Sequence, residues 1–123
     1  MGSIIKSMEH FLILIKCPEG TYTALPEAER LKYIEAWHRF IDVTQKNGTW
    51  VSGFPVEPEY STLSRDGLVG LDSREDQGQV TGFMVLRAAD RSGLLEKIRL
   101  CPTLAIGGTL EIFPANTGDF ARA

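Results

Sequence analysis

His38 is the ionisable side chain best placed for chemistry. It lies in a stretch of helical periodicity, on the line of positions through Leu31, Ile34 and Ile41, so it is expected to point towards the interior rather than water. An imidazole there titrates near neutrality and suits a general base or a donor to a ligand. The alternative is a histidine at the rim of the core with one nitrogen satisfied, as polar groups inside proteins usually are. Asp42 stands four residues on, but on the more exposed flank, so the periodicity provides no carboxylate to orient the ring. His10 precedes the first strand-like run and is expected to be exposed.

The two thiols offer less. Cys101 falls at the end of a second helical segment, where the helix dipole disfavours a thiolate, so it reads as a small buried apolar residue. Cys17 follows the first strand and is expected to be the more reachable, with no base paired to it. Two cysteines make no disulfide framework, and their spacing is not that of a metal site. Asp66, Asp72, Glu75 and Asp76 gather carboxylates that suit a hard cation, but their spacing fits no calcium loop and reads as a solvated surface. Gly107-Gly108 precedes a strand rather than a helix, so it is not a phosphate cradle. There is no Gly-x-Ser-x-Gly elbow, no phosphate-loop sequence and no His-Glu-x-x-His. Tyr33, Trp37, Phe40, Trp50 and Phe83 form an aromatic set, the first three at helical spacing. A cleft lined by a few aromatics and one polar group would hold a small molecule, and Trp37, His38, Glu75 and Arg87 are its candidate residues. No metal and no cofactor are expected.

The elements that must position these residues follow from pattern. Phe11 to Lys16 is a short apolar run closed by Cys17-Pro18-Glu19-Gly20, and reads as a buried strand. A long helix is predicted over 26–47. Pro26, Glu27 and Glu29 suit its first turn and Gly48 its stop. Tyr33, Trp37, Phe40 and Thr44 lie beside the His38 line. Thr49 to Phe54 is a second strand. Tyr60 to Leu63 and Leu68 to Leu71 flank a turn with Asp66-Gly67, the signal of a tight hairpin, and 72–78 is a loop. Val80 to Arg87 is a central strand whose Gly82 marks a bulge or a close backbone approach. Asp90 or Ser92 caps a second helix carrying Leu94, Leu95 and Ile98, which Pro102 ends near Cys101. Gly107-Gly108 turns the chain into a last strand, Thr109 to Phe113.

The order β-α-β-β-β-α-β predicts a ferredoxin-like α+β domain, an antiparallel sheet with two helices on one face. The bare face needs cover, and a second copy supplies it most simply, so a homodimer of face-to-face sheets is expected. The 123 residues suit a single domain with a core over about 10–114. At 43% hydrophobic and 24% charged the chain is an ordinary globular one. A net charge of −3 without a basic run argues against a nucleic-acid partner. The longest apolar run, Phe11 to Ile15, is far too short to span a bilayer, and Lys6 stands where a myristoylation start needs Ser or Thr. A cytoplasmic protein is expected.

From about His10 to Pro114 the chain resembles the YCII-related family, in particular its DGPF-type branch. Phe11 to Lys16 followed by a loop and long helix is similar to the family's start. Gly82-Phe83, Cys101-Pro102 and Gly108-Thr-Leu-Glu-Ile-Phe-Pro114 are similar to its closing half, and Ser52-Gly53-Phe54-Pro55-Val56 to its Gly-Gly-x-Pro-Leu stretch. The resemblance implies a dimeric α+β barrel. The eponymous Asp-Gly-Pro-Phe would fall near 70–73, where this chain has Gly-Leu-Asp-Ser. Glu75 fits the first glutamate of the segment that follows, and Asp76-Gln77-Gly78 does not fit the rest. A His and an Asp suggested as a catalytic pair in some members would fall near Ile34 and Lys46, neither of which serves that chemistry. Three functions stay open. The chain is a small-molecule-binding or accessory homodimer, or a small acid–base enzyme using His38, or, as relatives encoded beside alternative sigma factors imply, a regulatory interaction protein.

Overall fold

The computed structural model describes residues 8–57, 59–71 and 79–115. Strand β1 (Glu9–Cys17) leads through a turn into helix α1 (Glu27–Lys46). Strand β2 (Trp50–Pro55), the hairpin β3 (Tyr60–Ser64) and β4 (Gly67–Leu71), and strand β5 (Gln79–Ala88) follow. Helix α2 (Arg91–Ile98), a short α3 (Pro102–Ala105) and strand β6 (Thr109–Pro114) close the chain. The main sheet has the order β2-β5-β1-β6, antiparallel throughout. This is the ferredoxin-like α+β arrangement expected from the order of elements. The β3–β4 hairpin is a two-stranded sheet of its own rather than part of the main one.

Alternation along the strands places Phe11, Ile13 and Ile15 of β1 with Met84, Leu86 and Ala88 of β5 on one face. Phe40 of α1, and Leu94 and Ile98 of α2, pack over them, with Trp37, Trp50, Leu110 and Ile112 around the margin. Two irregularities adjust the register, one in β2 between Trp50 and Ser52 and one in β1. Between Ile15 and Lys16 one extra β5 residue, Thr81, is accommodated, and its hydroxyl donates to the Ile15 carbonyl at 3.3 Å. Gly82 sits beside this bulge. A Cβ there would lie 3.1 Å from the Phe54 carbonyl oxygen, the close approach its place in the strand suggested.

Helix α1 starts after Pro26, whose carbonyl accepts from the Arg30 N–H at 2.9 Å, and stops at Gly48, whose φ of 80 favours glycine. Its orientation corrects the expected one. The line through Tyr33, Trp37, Phe40 and Thr44 faces the sheet, whereas Leu31 and Ile34 are 56% and 38% exposed. Broad rings bury more area than Leu31 and Ile34, and Trp37 meets Phe40 edge-on at 5.5 Å. Helix α2 ends at Ile98, three residues earlier than Cys101, and Pro102 opens α3 at a first-turn position where its missing N–H costs nothing.

A candidate binding cleft between helix and sheet

The space that α1 leaves beside the sheet is a cleft of about 540 Å³, within the range of small-molecule pockets. Ile15 and Gly82 are on its sheet side. Tyr33, Trp37, His38 and Ile41 border it from α1, and Trp50 and Gly53 from β2. Tyr22 also lines it. The Arg30 guanidinium holds the loop that carries Tyr22, donating to the carbonyls of Thr23 at 3.2 Å and Leu25 at 3.0 Å. The Tyr22 and Tyr33 rings then meet at 5.6 Å. Trp50 owes its place to Gly53. A Cβ at 53 would lie 2.8 Å from both the Phe83 carbonyl and the Trp50 indole, so the ring lies where any larger residue would put its side chain.

Polar groups in the lining are few and mostly engaged. The Tyr33 hydroxyl shares a 2.8 Å hydrogen bond with the Thr103 hydroxyl. Thr103 is 0% exposed and fixed by backbone, since its carbonyl accepts from the Gly108 N–H at 2.9 Å. Gly108 is required for this packing, because a Cβ would collide with the Thr103 methyl and lie 2.7 Å from the Lys16 carbonyl. Among the described lining residues there is no Asp, Glu, Lys or Arg. Such walls suit a neutral, largely apolar molecule with a hydroxyl or carbonyl to meet the Tyr33 hydroxyl.

The residues singled out in the sequence divide. Trp37 and His38 line the cleft together. His38 does so from an exposed position at the mouth, not from the sheet side of the helix as expected, because the aromatic line claims that side. Arg87 is not brought to the cleft. It is exposed beside the end of α1, where its Nε donates to the Gly48 carbonyl at 2.7 Å. Its backbone N–H also bonds the Thr49 carbonyl, so Arg87 ties β5 to the turn after the helix. Glu75, with Asp72 and Asp76, lies outside the described residues. Asp42 pairs with Lys46 at 3.0 Å in solvent. His10 is half-buried within β1 rather than exposed before it.

Both thiols are free and buried. Cys17 is 6% exposed, less reachable than expected, because β1 runs on through it and its side chain is enclosed at the cleft. The Cys101 thiol is pushed from 9.0 up to about 11 by burial, against smaller lowering by hydrogen bonds with Thr103. It precedes α3 rather than ending α2, so desolvation and not a helix C-terminus keeps it protonated. Sequence reasoning passed over Tyr22, Thr103 and Ile106. Tyr22 and Ile106 stand in turns, where no periodicity assigns them a side, and Thr103 stands in α3, which is opened by the Pro102 that the sequence offered only as the end of a helix.

No protein-family model matches the chain, and no curated protein matches its sequence. Among solved structures the chain is similar to 5-chloro-2-hydroxyhydroquinone dehydrochlorinase (TftG) from Burkholderia phenoliruptrix AC1100, in its complex with 2,5-dihydroxybenzoquinone. The match is 16% identical, with a TM-score of 0.49, and covers 83% of this chain and 90% of that chain.

Proposed function

We propose that this chain is a cytoplasmic, homodimeric small-molecule-binding protein of the YCII-related type, with its ligand held between α1 and the sheet. The cleft itself carries the reading: about 540 Å³ of space walled by aromatic and aliphatic side chains, with a hydrogen-bonding hydroxyl at Tyr33. The ligand class that fits is a neutral aromatic bearing a hydroxyl or carbonyl. Free thiols at both cysteines suit a reducing compartment. An outward sheet face with Leu12, Phe54 and Phe113 in the open suits a second copy.

The protein's two tryptophans both line the cleft, so its intrinsic fluorescence reports occupancy directly. Titration with neutral phenols and indoles, beside native mass spectrometry of protein purified without added ligand, tests the proposal. A saturable change in tryptophan emission that weakens for hydroxylated ligands in Tyr33→Phe is expected. A flat response across the panel, with no retained mass, would remove the binding reading.

A second reading, acid–base catalysis, is favoured by one observation, the imidazole of His38 at the cleft mouth. Ligand turnover that disappears in His38→Ala while the assembly stays intact would move the chain to that class.

A further inference from the structure

We propose that the β3–β4 hairpin is an arm that docks on a second copy of this chain. The proposal rests on the homodimer reading and goes beyond it.

The hairpin is the part of the described structure whose conformation is least explained by its own surroundings. It pairs with nothing in the main sheet. Every residue of β3 is exposed. Leu63 and Leu68 stand directly opposite each other across the two strands and are 76% and 68% exposed. Two strands alone are marginal in water, and become stable by laying an apolar side on something else. Large exposed apolar pairs of this kind mark contact surfaces.

The same chain carries a second uncovered apolar surface, to which the arm is joined. Leu12 is paired with Val85 and Phe113, and Phe54 with Phe83, on the sheet face away from the helices. Leu12, Phe54 and Phe113 are 37%, 64% and 47% exposed. The arm leaves β2 directly after Phe54 and Pro55, at the edge of that face.

Size decides for a second copy plus arm over a second copy alone. Alternation gives the four strands roughly fifteen outward positions. A standard stable interface uses about 20–30 residues a side. Face-to-face stacking therefore falls short, and one side of the hairpin's two five-residue strands, about five positions by the same alternation, brings the count to the lower end of that range. Charge does not oppose this, since the turn bears one cation and one anion, Arg65 and Asp66.

The test uses the full chain. Leu63 is replaced by a photoreactive phenylalanine analogue, light and nitrogen-15 copies are mixed to exchange subunits, and cross-links are mapped by mass. Sedimentation equilibrium is run in parallel on the wild type and on Leu63→Lys/Leu68→Lys. The arm reading expects heavy–light cross-links and a dimer dissociation constant raised about tenfold or more. A wild type that is monomeric at micromolar concentration overturns the homodimer reading and the arm with it. A wild-type dimer whose cross-links from position 63 are absent, join same-isotope peptides alone, or reach a different protein overturns the arm and leaves the homodimer standing. Heavy–light cross-links with an unchanged constant still support docking, as the leucines then touch the partner without dominating the affinity.

Discussion

On the helix side of the sheet, Phe11, Ile13, Met84 and Leu86 are at most 1% exposed; one residue along the same strands, Leu12 is 37% exposed, and Phe113 beside it 47%. The residue types on the two faces are close to interchangeable. Phe-Leu-Ile-Leu-Ile of β1 is apolar at every position, as strands covered on both sides tend to be. What separates the faces is cover. Helices α1 and α2 supply it on one side, and the described chain supplies none on the other. Apolar content along a strand therefore reports how much surface has to be hidden, not which element hides it.

The sharpest way to break this comparison is to remove equivalent bulk from each face. Leu86→Ala opens a cavity under α1 and α2 and should cost about 2–5 kcal/mol of folding stability, independent of protein concentration. Phe113→Ala removes a side chain that is already half in water. It should leave the urea midpoint of dilute protein nearly unchanged, while making the midpoint at high concentration fall towards the dilute value. Urea titrations over a hundredfold concentration range separate the two outcomes. If Phe113→Ala costs as much as Leu86→Ala at every concentration, the outward face is covered within its own chain and the contrast fails.

A pH titration sharpens the helix side next. Cys101 belongs to that core and is 2% exposed, and burial holds its thiol at about 11 against 9.0 for a free one. Its folded-state value lies above the unfolded one, so the neutral thiol contributes stability that is complete below pH 9. That contribution is lost as pH rises through 11. Two pH units correspond to roughly 2–3 kcal/mol. Cys101→Ala loses packing at every pH but has no such slope. The stability gap between wild type and Cys101→Ala should accordingly narrow between pH 8 and pH 11. A constant gap would mean that the thiol ionises as easily folded as unfolded, and that the core at Cys101 is wetter than its burial indicates.

Strand identity and order were legible because they depend on local signals. The run at Phe11, Asp66-Gly67 in the hairpin turn, Gly48 after α1 and Gly82 in β5 each act within a few residues of themselves. The cleft was legible in part for the same reason: Trp37 and His38 are neighbours on a helix whose period is clear. Which line of α1 meets the sheet was not legible, since Leu31-Ile34-His38-Ile41 and Tyr33-Trp37-Phe40-Thr44 are both mainly apolar. Tertiary packing of the larger rings settles it. Arg87 was a candidate for the cleft, but strand alternation does not reveal that Gly48 would offer it a carbonyl at 2.7 Å. Thr103 was missed because its partner, Tyr33, is distant in sequence and the two meet through the fold alone.

The smallest expected effect concerns the cover itself. Helix α2 is eight residues long, too short to persist on its own, and reaches the core through Leu94 and Ile98. Its start is fixed by Asp90, in extended backbone, whose carboxylate accepts from the Gly93 N–H at 2.8 Å. Asp90→Ala leaves that N–H to water and should cost about 1 kcal/mol, while Asp90→Ser keeps an acceptor in reach and should recover most of it. The loss should be local before it is global. Amide exchange should quicken in α2 and at the β5 positions beneath it, while β2, under α1, stays protected. Uniform acceleration over both would mean that α1 and α2 cover the sheet as one cooperative layer. Faster exchange confined to α2 would mean that the helix side, like the outward side, is covered piece by piece.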